Sequence, residues 1–248
     1  MNTPCCGTSR QGRGMGRGRR RSSIQRGMPE MAQGQGLGRR QETGLDETPE
    51  RDAERQQHVA AMRARIAASP RLPLSLAEQE DLLHMREEEK IARDVYLRLY
   101  DRWNIQPFAN ISGSEQAHMD AILALLEHFG LPDPAAGLAV GQFHNSKLQH
   151  LYDTLIAQGE RSPEEAIRVG LLIEELDIDD LQKAARRTHQ QAIRAVYDEL
   201  ERGSRNHLRA FYRWKTQLGV TYHPEHLSPE VFMATALSAA ERCSLPAY

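Results

Sequence analysis

The stretch LLHMREEEKIARDVYLRLYDRW, residues 82–103, carries one stripe at alternating steps of three and four: Leu82, Met85, Glu89, Ala92, Tyr96, Leu99 and Trp103. That spacing puts the set on one helix face, and a carboxylate, Glu89, falls on the apolar side. Three further stretches repeat both the pattern and its breach. Ile111, Glu115, His118, Ile122, Leu125 and Phe129 make the second stripe, and Ile167, Leu171, Glu174, Ile178 and Leu181 the third. The fourth is Tyr197, Leu200, Ser204, His207, Phe211, Trp214 and Leu218. Burying an unpaired carboxylate costs several kcal/mol, and such groups are normally paired or bound to metal. An intrusion in every helix points to a shared site.

The helix ends can be read around these stripes. Ser75-Leu-Ala-Glu78 has the form of a capping box and opens a helix to about Trp103. Asn104 to Asn110, with Pro107, reads as a turn, and a second helix covers 112–129, stopped by Gly130, Pro132 and Pro134. A connection of about thirty residues follows, holding a short amphipathic helix near Ser146–Gln158. Ser162, Pro163 and Glu165 start a third helix running to Arg187, and a fourth spans His189 to Leu218. Ser228-Pro229 starts a short terminal helix through Ala239. No segment alternates apolar and polar residues between turns, so the expected fold is all-α. Two helix pairs with a long crossover between helices two and three is the connectivity of ferritin-like four-helix bundles. The bundle is assigned to 75–218, flanked by a loosely docked helix and linker over 51–74 and a C-terminal extension over 219–248.

Composition divides the chain. Of 248 residues, 40% are hydrophobic and 27% charged, but residues 1–41 hold nine Arg, one Glu and nine of the 18 Gly. That segment carries +8 against a whole-chain −2, leaving about −10 for residues 42–248. Residues 1–50 have too few apolar side chains to offset the entropy of ordering and are expected to be a disordered arm. Its charge suits nonspecific nucleic-acid binding through residues 10–40, or solubility alone, since no aromatic residue is there to stack on bases. No run of 18 apolar residues exists, which argues against a membrane span, and no apolar segment follows the N-terminal arginines, which argues against a secretory signal. Cys5, Cys6 and Cys243 fit neither a disulfide framework nor a zinc motif, so a reducing cytoplasm is expected. The sequence leaves assembly, including a homodimer, open.

The polar breaches have the composition of a metal site. In carboxylate-bridged di-metal bundles two helices give one Glu each and two give Glu-x-x-His, a spacing that puts both side chains on one face. Here Glu89 serves helix one, Glu115-Gln-Ala-His118 helix two, Glu174 helix three and His207 helix four. Other readings stand beside these. Ser112-Gly-Ser-Glu115 also has capping-box form, Glu89 sits in the charge run Glu87-Glu88-Glu89-Lys90, and Glu174 is chosen over Glu175 only by phase with Leu171 and Ile178. Tyr96 and Tyr197 lie on the inner stripes, as core packing or as hydrogen-bond partners of ligands. The other eight histidines, His84 among them, have no ligand spacing and read as surface residues.

The segment Glu89-Lys-Ile-Ala92-Arg-Asp-Val-Tyr96 resembles the first metal-binding helix of rubrerythrins, where a ligand Glu precedes Ala by three and Tyr by seven. More closely, EEEKIARDVY, SEQAHMDAI, LLIEELDIDDL and GSRNHLRAF resemble a branch of the ferritin-like superfamily catalogued as domain of unknown function 2202. The likeness covers 75–218. It implies a four-helix bundle holding non-haem iron, as two ions in the better-known relatives' manner, that handles oxygen or peroxide. Ser204-Arg-Asn-His207 departs from the Glu-x-x-His expected on helix four. Asp177, three after Glu174, would restore the missing carboxylate, giving Glu89, Glu115, Glu174, Asp177, His118 and His207; Ser204 would then be a packing or hydrogen-bonding residue. Such donors suit iron or manganese, and also zinc. The reaction implied is oxidation of ferrous iron or reduction of oxygen or peroxide. Electrons would come from another molecule, because these residues include no Cys-rich rubredoxin segment. A metal-binding or metal-stabilised helical interaction protein without turnover is the alternative.

Overall fold

The computed structural model describes residues 49–242. Residues 1–48 and 243–248 lie outside the described residues, and with them most of the Arg/Gly-rich arm, the nucleic-acid reading for 10–40 and all three cysteines. Seven helices and no strand occur among the described residues: α1 (Pro49–Ala68), α2 (Leu76–Trp103), α3 (Gln106–Phe129), α4 (Ser146–Gly159), α5 (Pro163–Arg187), α6 (Gln191–Gln217) and α7 (Pro229–Leu237). None is long and apolar enough to cross a membrane.

Local chemistry sets the ends of these helices. The Ser75 hydroxyl accepts from the Glu78 amide, and the Glu78 carboxylate accepts from the Ser75 amide at 2.9 Å, completing the box. The same carboxylate accepts from the Thr188 hydroxyl at 2.7 Å, tying the start of α2 to the turn between α5 and α6. Ser162 and Ser228 cap α5 and α7, each with proline in the first turn. α3 starts six residues before the expected position. Pro107 lies within its first turn, where a missing amide hydrogen leaves no intrahelical bond unmade, so the proline read as part of a turn begins the helix instead. Gly130 ends α3 with a left-handed φ of 73° that a side chain would strain.

α2 packs along α3 and α5 along α6, and the two pairs meet through α2 on α5 and α3 on α6. Two apolar clusters result. One gathers Tyr96, Phe108, Leu171, Leu208 and Phe211, with the three rings 5.2–5.7 Å apart; the other gathers Leu82, Met85, Ile122, Leu125 and Leu200. α1 adds Met62 and Ile66 to the second cluster and packs on α3 and α6, a narrow apolar stripe for twenty residues.

The connection between the pairs is fastened to α2 by buried charge. Arg86 grips Asp133 through two 2.9 Å bonds and donates to the Met119 carbonyl. Lys90, 1% exposed, donates to Asp94 and to the Ala139 carbonyl at 2.8 Å, with its ammonium 4.4 Å from the Phe143 ring centre. Asp94 also accepts from the Gly141 amide at 2.9 Å. At the other end of the chain Glu241 is clasped by Arg205 and Arg209 on α6, at 2.6–2.8 Å, and its amide donates to Asn206.

Removing one partner of a buried ion pair strands the other. Asp94→Ala is therefore expected to lower unfolding free energy by about 3–5 kcal/mol in urea titrations. Glu160→Ala, which breaks the partly exposed pair with Arg98, should cost less than about 1 kcal/mol. The hydrogen bond from Arg205, aided by Arg209, holds the Glu241 carboxyl down at about 2, against an ordinary 4.5. A depressed folded-state value stabilises the clasp fully above the ordinary value and loses it as pH falls towards the folded one. The Glu241 carboxyl and amide resonances should accordingly report undocking only as pH drops below about 4.5 towards 2.

Candidate metal centre

A polar layer divides the two apolar clusters. On α2, α3 and α6 the residues of one cluster give way to polar side chains before those of the other begin, Glu89 on α2, Glu115 and His118 on α3, Ser204 and His207 on α6; on α5 Glu174 and Asp177 fall among the last residues of one cluster, just before the other begins. Glu89, Glu115 and Glu174 are each 1% exposed. The capping alternative for Glu115 does not hold, because α3 is already two turns old there and the Ser112 hydroxyl donates to the Ala109 carbonyl. Glu175 turns away from the layer: its carboxylate accepts from the Tyr222 hydroxyl and from the amides of Glu225 and Leu227, pinning the segment before α7. Glu201 is likewise engaged elsewhere, by Gln182 and Arg205.

The side chains meet in two groups that share Glu115. Glu115 Oε2 lies 2.8 Å from His118 Nδ1, which lies 3.1 Å from Glu89 Oε2. Glu115 Oε1 lies 2.9 Å from His207 Nδ1, which lies 3.4 Å from Glu174 Oε2. The two imidazoles stack with centroids 5.4 Å apart. Each group offers three donor atoms mutually within 4.8 Å. Glu89 Oε1 is buried without a hydrogen-bond partner, a condition native proteins rarely tolerate unless another species completes the set.

Neighbouring groups hold the donors in place. The Tyr96 hydroxyl donates to Glu174 Oε1 at 2.5 Å, and the Ser114 hydroxyl lies 2.9 Å from His207 Nε2, leaving Nδ1 to face the layer. Ser114 was not legible as a partner of His207, 93 positions away. The Ser204 hydroxyl is hydrogen-bonded to Asp177 Oδ2 and lies 3.0 Å from the Leu200 carbonyl, while Asp177 Oδ1 is buried and unpaired. Asp177 belongs to neither group of three. Of the two roles open to Tyr197, the structure gives core packing and not a bond to the ligands: it lies in the second apolar cluster with Leu82 and Met85, and its hydroxyl has no partner. Its phase on the stripe was right, but it stands nearly two turns from Ser204, beyond the polar layer.

Burial and mutual charge set the protonation of the layer. Burial pushes Glu89 up to about 7 against the pull of His118. It pushes Glu174 up too, and Asp177 well up, the latter reinforced by the Glu89 and Glu88 carboxylates. Burial would lower His207, but Glu115 and Glu174 outweigh it and raise the imidazole to about 9. Glu115, opposed by burial but flanked by both imidazoles, is held well below the usual carboxylate range. Without a cation, protons on the imidazoles and some carboxylates offset the charge.

An all-helical protein with an interior cluster of carboxylates and imidazoles drawn from four helices is the class these features define. The chain belongs to the family described as "Uncharacterized protein domain (DUF2202)", which matches residues 78–239. It is 46% identical over 177 residues to the uncharacterized protein MJ0754 of Methanocaldococcus jannaschii, over 71% of this chain and 96% of that one. The crystal structure of the hypothetical protein MJ0754 from Methanococcus jannaschii matches with a TM-score of 0.68 at 46% identity, covering 69% of this chain and 98% of that one.

Gly203 makes room for the centre on α6. A Cβ there would fall 2.5 Å from His118 Nε2, and the ring cannot yield without leaving Glu89 and Glu115. Alanine is the better helix former by about 1 kcal/mol, yet Gly203→Ala is expected to lower the melting temperature. A rise in melting temperature would contradict this packing.

Proposed function

We propose that the protein is a ferritin-like metal protein in which Glu89, Glu115, His118, Glu174 and His207, with Asp177, hold two metal ions, iron foremost, and which works on ferrous iron, oxygen or peroxide. The observation that carries this reading is the sharing of one buried carboxylate: the two oxygens of Glu115 face two different imidazoles, each with a further carboxylate behind it. A Glu from each of two helices and Glu-x-x-His from the others is the donor plan of di-metal carboxylate bundles. The helix pairs and the long connection between them, which includes α4, support the ferritin-like assignment. The donor set fits iron or manganese, and accepts zinc.

The residues of this chain do three things in that reading. Glu115 bridges, while Glu89 with His118 and Glu174 with His207 complete the two ends. Tyr96 and Ser114 orient Glu174 and His207, so that less ordering is left to binding. Met85, Ile122, Ile178 and Phe211 wall the layer from water. Asp177, reaching the Ser204 hydroxyl from α5, stands in for the carboxylate that helix four lacks. Bound iron would supply electrons to oxygen or peroxide, with an external donor restoring them. The cysteine usage of the sequence supports a cytoplasmic setting.

Elemental analysis of anaerobically loaded full-length protein tests the centre. Glu115→Ala should hold two fewer ions per chain than wild type, and Asp177→Ala one fewer; an unchanged count in either refutes the role given to that residue. Circular dichroism checks that each variant is folded. In air, wild type should oxidise added ferrous ion at least about tenfold faster than the Glu89→Ala, His118→Ala double variant. Equal rates together with metal binding and a melting temperature that falls on chelation would leave a metal-stabilised protein without turnover.

A further inference from the structure

A second set of donors meets nearer the surface, where α2 again faces α5. His84 and Glu88 are one turn apart on α2, and His84 Nε2 lies 3.4 Å from Glu88 Oε2 and 3.8 Å from Asp180 Oδ2. One donor atom from each of the three residues lies within 4.8 Å of the others. None of the three belongs to either interior group.

Glu88 is what a surface ion pair does not explain. It is 6% exposed, and both of its carboxylate oxygens are buried without a hydrogen-bond partner. The approach of His84 at 3.4 Å does not make a bond to it. An anion left so deep without compensation costs several kcal/mol. The partner residues are open to solvent, His84 with 42% and Asp180 with 22% of the side chain exposed. Lys183 takes the other oxygen of Asp180 at 3.0 Å and Asp179 at 2.6 Å, which fixes the Asp180 carboxylate with Oδ2 towards His84. Donors around one tetrahedral zinc ion, at about 2.0–2.2 Å from it, stand roughly 3.3 Å apart. The Glu88–His84 spacing meets that as it stands, and a small rotation of the exposed imidazole closes the other.

We propose that His84, Glu88 and Asp180 form a divalent-cation site separate from the interior layer, open to solvent and of imidazole–dicarboxylate composition, suited to zinc, ferrous or manganous ion. The cation supplies the charge that Glu88 lacks, and water completes its coordination. The site stands on its own donors whether or not the interior layer binds metal.

Zinc added to full-length protein tests it. The His84→Ala chain should retain one zinc fewer than wild type, and Asp180→Asn should match it; both positions are solvent-facing, and circular dichroism verifies the fold. The ring-nitrogen NMR signals of His84 should move with zinc in wild type and equally in His118→Ala, which separates this site from the interior one. Equal zinc content and affinity in wild type and His84→Ala would overturn the proposal, as would His84 signals that stay put in saturating zinc. Where wild type holds more than one zinc, loss of every bound zinc in His84→Ala would also overturn it, because the site would then not be separate.

Discussion

Like charge crosses the middle of this core, and everything around it is arranged to bear that charge. Glu89, Glu115, Glu174 and Asp177 are buried beside only two imidazoles. In a medium of low dielectric, carboxylates at such spacing repel strongly unless protons or cations intervene. The apolar clusters on either side cannot relax the repulsion by letting the helices part, because each helix contributes to both. The layer is stable only in company, and Glu115, with an imidazole at each oxygen, is its centre.

Other buried carboxylates do purely architectural work, and the contrast defines the site. Glu78 joins the start of α2 to the turn after α5, Glu175 pins the segment before α7, and Asp94 receives Lys90 and a loop amide. Each of these has its oxygens met by protein donors. Glu88, Glu89 and Asp177 retain oxygens that nothing in the protein meets. Burial alone would not have told the two kinds apart; the accounting of partners does.

Much of this could be read in the sequence, because the physics was local. The Ser75–Glu78 box, the Ser162 and Ser228 caps and the Gly130 stop all depend on residues a few positions apart, and the helices begin or end where those signals stand. Phase along each stripe selected Glu89, Glu115, His118, Glu174 and His207, which the fold brings together. The failures were of two kinds. Pro107 is compatible with both a turn and a first helical turn, and only the packing of Phe108 and Ile111 into the core decides between them. Ser114, His84 and Asp180 act across helices, and stripe phase cannot say what a residue at the margin of the stripe will face. The distance of Tyr197 from the centre has the same origin: phase gives the face of a helix, while height along it depends on how the helices are staggered.

Glu87, Glu88, Glu89 and Lys90 are all buried, yet they serve four different destinations. Glu87 faces the Asn145 amide, Glu88 faces His84, Glu89 reaches His118, and Lys90 meets Asp94 and the Ala139 carbonyl. Successive positions on a helix are turned by about 100°, so these four addresses are read off a single rotation. Inserting or deleting one residue upstream would deliver every head group to its neighbour's door, an acid to the loop carbonyl or an ammonium to the imidazoles. Alignment gaps within this part of α2 should therefore be absent from any sequence that keeps the same interior.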